Sequence, residues 1–146
     1  MVYLKAKTYL KSIRRLDDDI NAKQRVLDGL EKDKGKLCAV TYDGVKVVGG
    51  GGSLDPMSEL DRINDKIEKL QREINEDIDR LIDLKNEAID RIARVYNPTF
   101  ITLLTDLYIS GLTLERIAEK RGKSYETIKS WHGQALQIFR KENNMQ

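Results

Sequence analysis

The sequence predicts an all-α protein, a long antiparallel helical hairpin followed by a group of short C-terminal helices. Three observations carry that expectation. Two long segments repeat apolar residues at three- and four-residue steps, the rhythm of paired helices. Both prolines of the chain, Pro56 and Pro98, follow Asp55 and Asn97 in the pattern of an N-cap and a first helical residue. The composition is 34% charged and only 6% aromatic, which suits long solvated helices.

The first helix is expected over residues 1–37, where Ala6, Tyr9, Ile13, Leu16, Ile20, Leu27, Leu30 and Leu37 form one stripe. Lys23 and Lys34 interrupt the stripe, as polar residues do when they fix register at a cost in stability. The second is expected over 58–95. Leu60, Ile63, Ile67, Leu70 and Ile74 hold a heptad, and the steps to Ile78 and Leu81 read as a four-residue stutter that locally unwinds the supercoil. Leu84, Ala88, Ile92 and Val95 carry the stripe onward. The first segment has a charge of +4 and the second −3, which favours pairing them. Between them, residues 38–56 combine Val40, Tyr42, Val45 and Val47 around Asp43-Gly44, a turn signal compatible with a small β-hairpin. Two short strands alone are marginal in water. Gly49–Gly52 lacks the Gly-Lys-Ser/Thr ending of a phosphate loop and reads as a flexible link. The domains expected are therefore 1–95, with the loop at 38–56, and 96–146.

The last third is the most specific. After Asn97-Pro98, a helix bearing Phe100, Leu103, Leu104, Leu107 and Tyr108 closes at Gly111. Thr113 is an N-cap for a helix from Leu114 to about Arg121, Gly122 supplies a turn of positive φ, and Ser124 caps a helix to about Lys141. Ile117, Ala118, Ile128, Trp131, Ala135 and Leu136 fall at helical spacing and would join the two helices, with Ala118 small where they cross. This is the pattern of a helix-turn-helix. Its second helix would present Lys123, Ser124, Tyr125, Glu126, Thr127, Lys129, Ser130 and Gln134 to the major groove. Glu126 has two readings that both stand: favourable charge at a helix N-terminus, and acceptance from a cytosine amino group.

Other classes find little support. At 146 residues there is no room for a large enzyme core, and no nucleophile–base pair or carboxylate constellation stands out, so no catalytic residue is assigned. His132, the one histidine, has no paired ligand at helical spacing; a helix-surface or DNA-proximal position is expected, with no metal and no cofactor. Asp17-Asp18-Asp19 point different ways on a helix and read as a solvated face. Cys38 alone excludes an intramolecular disulfide and is expected at a helix end or in the loop. No apolar run approaches the roughly 20 residues of a membrane span, and no signal peptide is visible. The chain reads as cytoplasmic, with no membrane partner.

The segment 113–136 resembles region 4 of the primary bacterial sigma factors. In that family the same register carries Thr-Leu-Glu, a turn Gly, a Ser or Thr cap, a Glu two residues later and a final Ala-Leu. Here those are Thr113, Leu114, Glu115, Gly122, Ser124, Glu126, Ala135 and Leu136. Tyr125 and Thr127 stand where sigma factors usually have Arg. Lys129 replaces another Arg, Ser130 a Gln, and Lys123 the apolar residue after the turn. The resemblance thus implies a kept fold and a sequence preference different from a standard −35 element. The opening KAKTYLKSIRRLDDDINAK, the loop GGGGSLDPM and the segment ERIAEKRGKSYETIKSWHGQAL together are similar to small phage proteins of Gram-positive hosts related to the RinA and ArpU late transcription regulators. That second resemblance implies activation of late packaging or structural genes in a bacterial host cell.

The function expected is a phage or prophage DNA-binding transcription regulator. A net charge of +2 gives weak nonspecific DNA affinity to a lone chain. Its double-stranded DNA partner is therefore expected to be joined by self-association through the coiled coil, by host RNA polymerase, or by both. Two rivals remain: a polymerase-binding factor without DNA contact, such as an antiterminator or anti-sigma-like protein, and a helical virion-assembly or packaging protein.

Overall fold

A computed structural model of the chain describes residues 2–42 and 56–145. Among the described residues, five α-helices run in the order α1 (Val2–Tyr42), α2 (Pro56–Ala93), α3 (Pro98–Leu104), α4 (Leu114–Arg121) and α5 (Tyr125–Glu142), and α3 continues as a π-helical turn, Thr105–Ile109. The fold is all-α, with α1 and α2 packed as a long antiparallel pair ahead of a small three-helix part. At ~1.5 Å per residue, the 41 residues of α1 and 38 of α2 each extend about 60 Å. No helix among the described residues is long and apolar enough to cross a membrane.

Helix α1 runs further than its apolar stripe predicts. Val40 and Tyr42, expected in a β-hairpin, belong to its last turns. A few added turns on an established helix cost little, whereas an isolated two-stranded hairpin has no face to bury. The rest of that proposed hairpin, the Gly49–Gly52 link and the Asp55 cap lie outside the described residues. Pro56 is the first residue of α2, where its missing N–H is not needed.

The chain divides into two compact units: Met1–Asp18 with Asp79–Gln146, and Asp19–Ile78. In the second, Ile20 and Leu27 of α1 and Ile67 and Ile74 of α2 are buried. The interruption at Lys23 meets an acidic partner. Lys23 Nζ lies 2.7 Å from Oδ2 of Asp77, which is only 3% exposed, and 3.9 Å from Glu73. This pair corrects the expected stutter. Ile67, Ile74, Leu81, Ala88 and Val95 are buried at unbroken seven-residue steps, whereas Ile78 is 38% exposed. Asp77, not Ile78, occupies the seam, and a carboxylate is tolerated there because an ammonium reaches it.

The first unit packs the start of α1 and the end of α2 with α3, α4 and α5. Its core includes Leu10, Ile13, Ile92, Leu103, Leu104, Ile117, Ile128, Leu136 and Phe139, all under 2% exposed. Tyr9 links three helices. Its ring stacks on Phe139 at 6.2 Å, Arg91 lies 4.7 Å above it, and its hydroxyl donates to Glu87 at 3.2 Å. Burial, and then the Glu87 carboxylate, push that phenol up to about 12. At the far end of α5, Asn143 Nδ2 donates to the Arg91 carbonyl at 2.9 Å, while its Oδ1 accepts from Arg94 at 3.1 Å.

Candidate nucleic-acid interface

The site is built by local chemistry at three joints. Asn97 accepts from the backbone N–H groups of Thr99 and Phe100 and starts α3. Gly111, at φ +76°, ends the π-helical turn, and Leu112 N–H donates back to the Asp106 carbonyl at 2.9 Å. Asp106 itself is buried, 3.5 Å from Lys120 Nζ and 3.7 Å from Arg121 Nη2, the latter an ionic contact too long for a hydrogen bond. These contacts hold the end of α4 against the preceding turn.

The α4–α5 joint follows the same logic. Thr113 Oγ1 accepts from Arg116 N–H at 3.2 Å and opens α4. Gly122 closes it in the left-handed region at φ +63°, ψ +34°, with Lys123 N–H donating to the Ala118 carbonyl at 3.0 Å. Ser124 Oγ accepts from Thr127 N–H at 3.1 Å and opens α5. Beneath this turn Ile117, Ile128, Ala135 and Leu136 are fully buried and Ala118 nearly so. Trp131, expected in that core, is only half-buried; Phe139, about two turns further along α5, fills the interior instead.

With the apolar side consumed, the opposite side of α5 is fixed. Lys123, Ser124, Tyr125, Glu126, Lys129, Ser130 and Gln134 are exposed. Thr127 is half-buried, its hydroxyl 2.8 Å from Ser124 Oγ, so it belongs to the cap as much as to the surface. Gln134 Nε2 donates to Ser130 Oγ at 3.3 Å, one turn apart. The arrangement offers two ammonium groups, one carboxylate, hydroxyls, a phenol and an amide along the open side of α5 and the turn that precedes it. Those are the donors and acceptors that discriminate base edges.

His132 does not sit on the open helix surface, one of the two positions expected for it. It is half-buried, with Nε2 2.7 Å from the Tyr108 hydroxyl. Burial, and then the charges of Lys7 and Lys11, lower its pKa to about 4. The ring is therefore neutral at physiological pH and keeps one nitrogen as an acceptor. Lys7, Lys11 and Arg14 of α1 form a cleft with His132, Tyr108, Leu107 and the first residues of α4. Sequence reasoning did not single out these three cations. The signal available was their spacing of four and three residues, which places them on one face of a helix.

Among the described residues no group of three or more His, Cys, Asp or Glu side chains is placed to hold a metal ion. Compared with known proteins, the chain matches no family model, no curated protein and no solved structure.

Proposed function

We propose that this protein is a sequence-specific DNA-binding transcription regulator in which α4 and α5 act as a helix-turn-helix. The observation that carries the reading is the joint itself. Two side-chain N-caps and one left-handed glycine set two helices across a dry core, and the first turns of α5 are left polar and open. Lys129 and Lys123 would supply base or phosphate contacts, Glu126 and Gln134 would read base edges, and Ser124, Tyr125, Thr127 and Ser130 would line the groove. The resemblance to sigma region 4 and to RinA- and ArpU-like proteins supports an activator of late phage genes acting with host RNA polymerase in the bacterial cytoplasm. Ile82, Ile89 and Tyr96 leave apolar surface on and just beyond α2, in keeping with self-association. No enzymatic activity, metal or cofactor is part of the proposal.

The test is recovery of sheared source-genome DNA by the tagged protein, with and without polymerase, followed by sequencing. A sharp peak upstream of an operon is expected. Lys129→Glu should abolish the peak while leaving helicity and oligomeric state unchanged. A folded Lys129→Glu protein that binds the same site equally well would overturn the placement of α5 in the groove. Polymerase capture without any DNA preference would transfer the assignment to the protein-only factor, and stoichiometric presence in purified particles to the assembly protein.

A further inference from the structure

Lys7, Lys11 and Arg14 lie along one face of α1, four and three residues apart, and line one side of a cleft of about 280 Å³. Its other side is the start of α4, from Thr113 to Glu115, with His132 and Tyr108. Lys7 and Arg14 are half-buried and Lys11 is exposed. Among the described residues none of the three forms an ion pair, in contrast to Arg91, which holds Glu87 at 3.0 Å, and Arg121, which faces Asp106. The carboxylate within the cleft is that of Glu115, so the lining has three cations to one anion. Like charges at these spacings destabilise a helix, and partial burial adds a desolvation cost. A row of this kind is stabilised when an extended anion lies along it.

We infer that Lys7, Lys11 and Arg14 of α1 grip the phosphate backbone of the DNA whose bases α5 reads, so that the N-terminal helix is part of the DNA interface. The inference rests on the helix-turn-helix reading above. Two structural facts select a polynucleotide over a small phosphate. The outer two cations are seven residues apart, about 10 Å of helix, which matches successive charges along a strand better than a single group. The cleft is also walled by the residues that open α4, the first helix of the motif, and by His132, three residues along α5 from Lys129. In motifs of this type the first helix crosses the DNA backbone.

The experiment measures dissociation constants of the full chain for a mixed-sequence duplex and for the duplex recovered by sequencing, each across a salt series. Replacing all three cations by Gln should weaken binding to both duplexes by a similar factor. It should also reduce the slope of log K against log salt by about 0.9 per lost phosphate contact, or roughly 2.7 in total. Sequence preference should survive. Glu115→Gln, which removes the opposing carboxylate, should tighten binding to both duplexes, a gain that misfolding cannot mimic. An unchanged slope in the triple variant, with sequence preference intact, would overturn the backbone grip and leave the helix-turn-helix reading standing. Wild-type protein that binds neither duplex would overturn both. Loss of preference at an unchanged slope would make the row a base-reading element and refute the inference.

Discussion

Lys129 and His132 are less than one helical turn apart on α5, yet solvent reaches the first and largely misses the second. His132 therefore makes folding pH-dependent. Its pKa is about 4 in the folded chain against an ordinary 6.5, so between those values the unfolded chain binds more protons. Stability should fall as pH drops through that window, and this group should cause no further loss below it. Denaturant midpoints at the two ends of the window should differ less in His132→Gln than in the wild type, since carboxylates titrate in both. Equal pH dependence in the two proteins would mean that the imidazole is not held neutral. The sequence revealed the caps because capping is local chemistry: Thr113, Gly122 and Ser124 act on residues within a turn or so of themselves. It did not reveal the burial of His132, because Tyr108 and the lysines come from two other helices.

At the level of whole elements, the long pair depends on a polar contact within an apolar seam. Asp77 is nearly inaccessible and Lys23 about one-third exposed, so the pair is desolvated mainly on its acidic side. Asp77→Ala should lower stability by about 2 kcal/mol, through loss of a charged hydrogen bond and a cavity in the seam. Lys23→Leu combined with Asp77→Leu should restore most of that loss or exceed it, because apolar residues of similar size replace buried ion pairs at little cost. Thermal melts of Lys23→Leu, Asp77→Leu and the double variant form the cycle, and additive losses would show that the two side chains do not act together. The heptad was legible in sequence, but its continuity was not. Ile78 beside Asp77 suggests a stutter only if carboxylates are assumed to face water, and Lys23, which removes that assumption, lies 54 residues away. Leu10 escaped for a related reason: the single stripe read from α1 omits it, yet its contacts carry it to full burial. The start of α1 is packed on a second side, where its neighbour Tyr9 stacks on Phe139 of α5.

Across the whole molecule, the C-terminal helices do not stand by themselves. Tyr9 covers Phe139, and the Arg91 carbonyl accepts from Asn143, so residues before position 96 complete the surroundings of α5. A fragment of residues 96–146 should therefore be less helical per residue than the full chain and melt without a sharp transition. Circular dichroism would decide it, and a cooperative melt with undiminished helicity would show the α1–α2 cover to be dispensable. The same contact sets an order of events at the ribosome. Tyr9 and Phe139 are 130 residues apart, so the start of α1 is synthesised long before the surface it needs exists. Pairings this distant are slow to form, and apolar surface waiting for them is open to aggregation and proteolysis. Asp19–Ile78 can gather its own contacts while synthesis continues. Translation halted before α5 would leave Tyr9 without the Phe139 ring it stacks on, and such a truncated chain should be cleared by cellular proteases instead of accumulating.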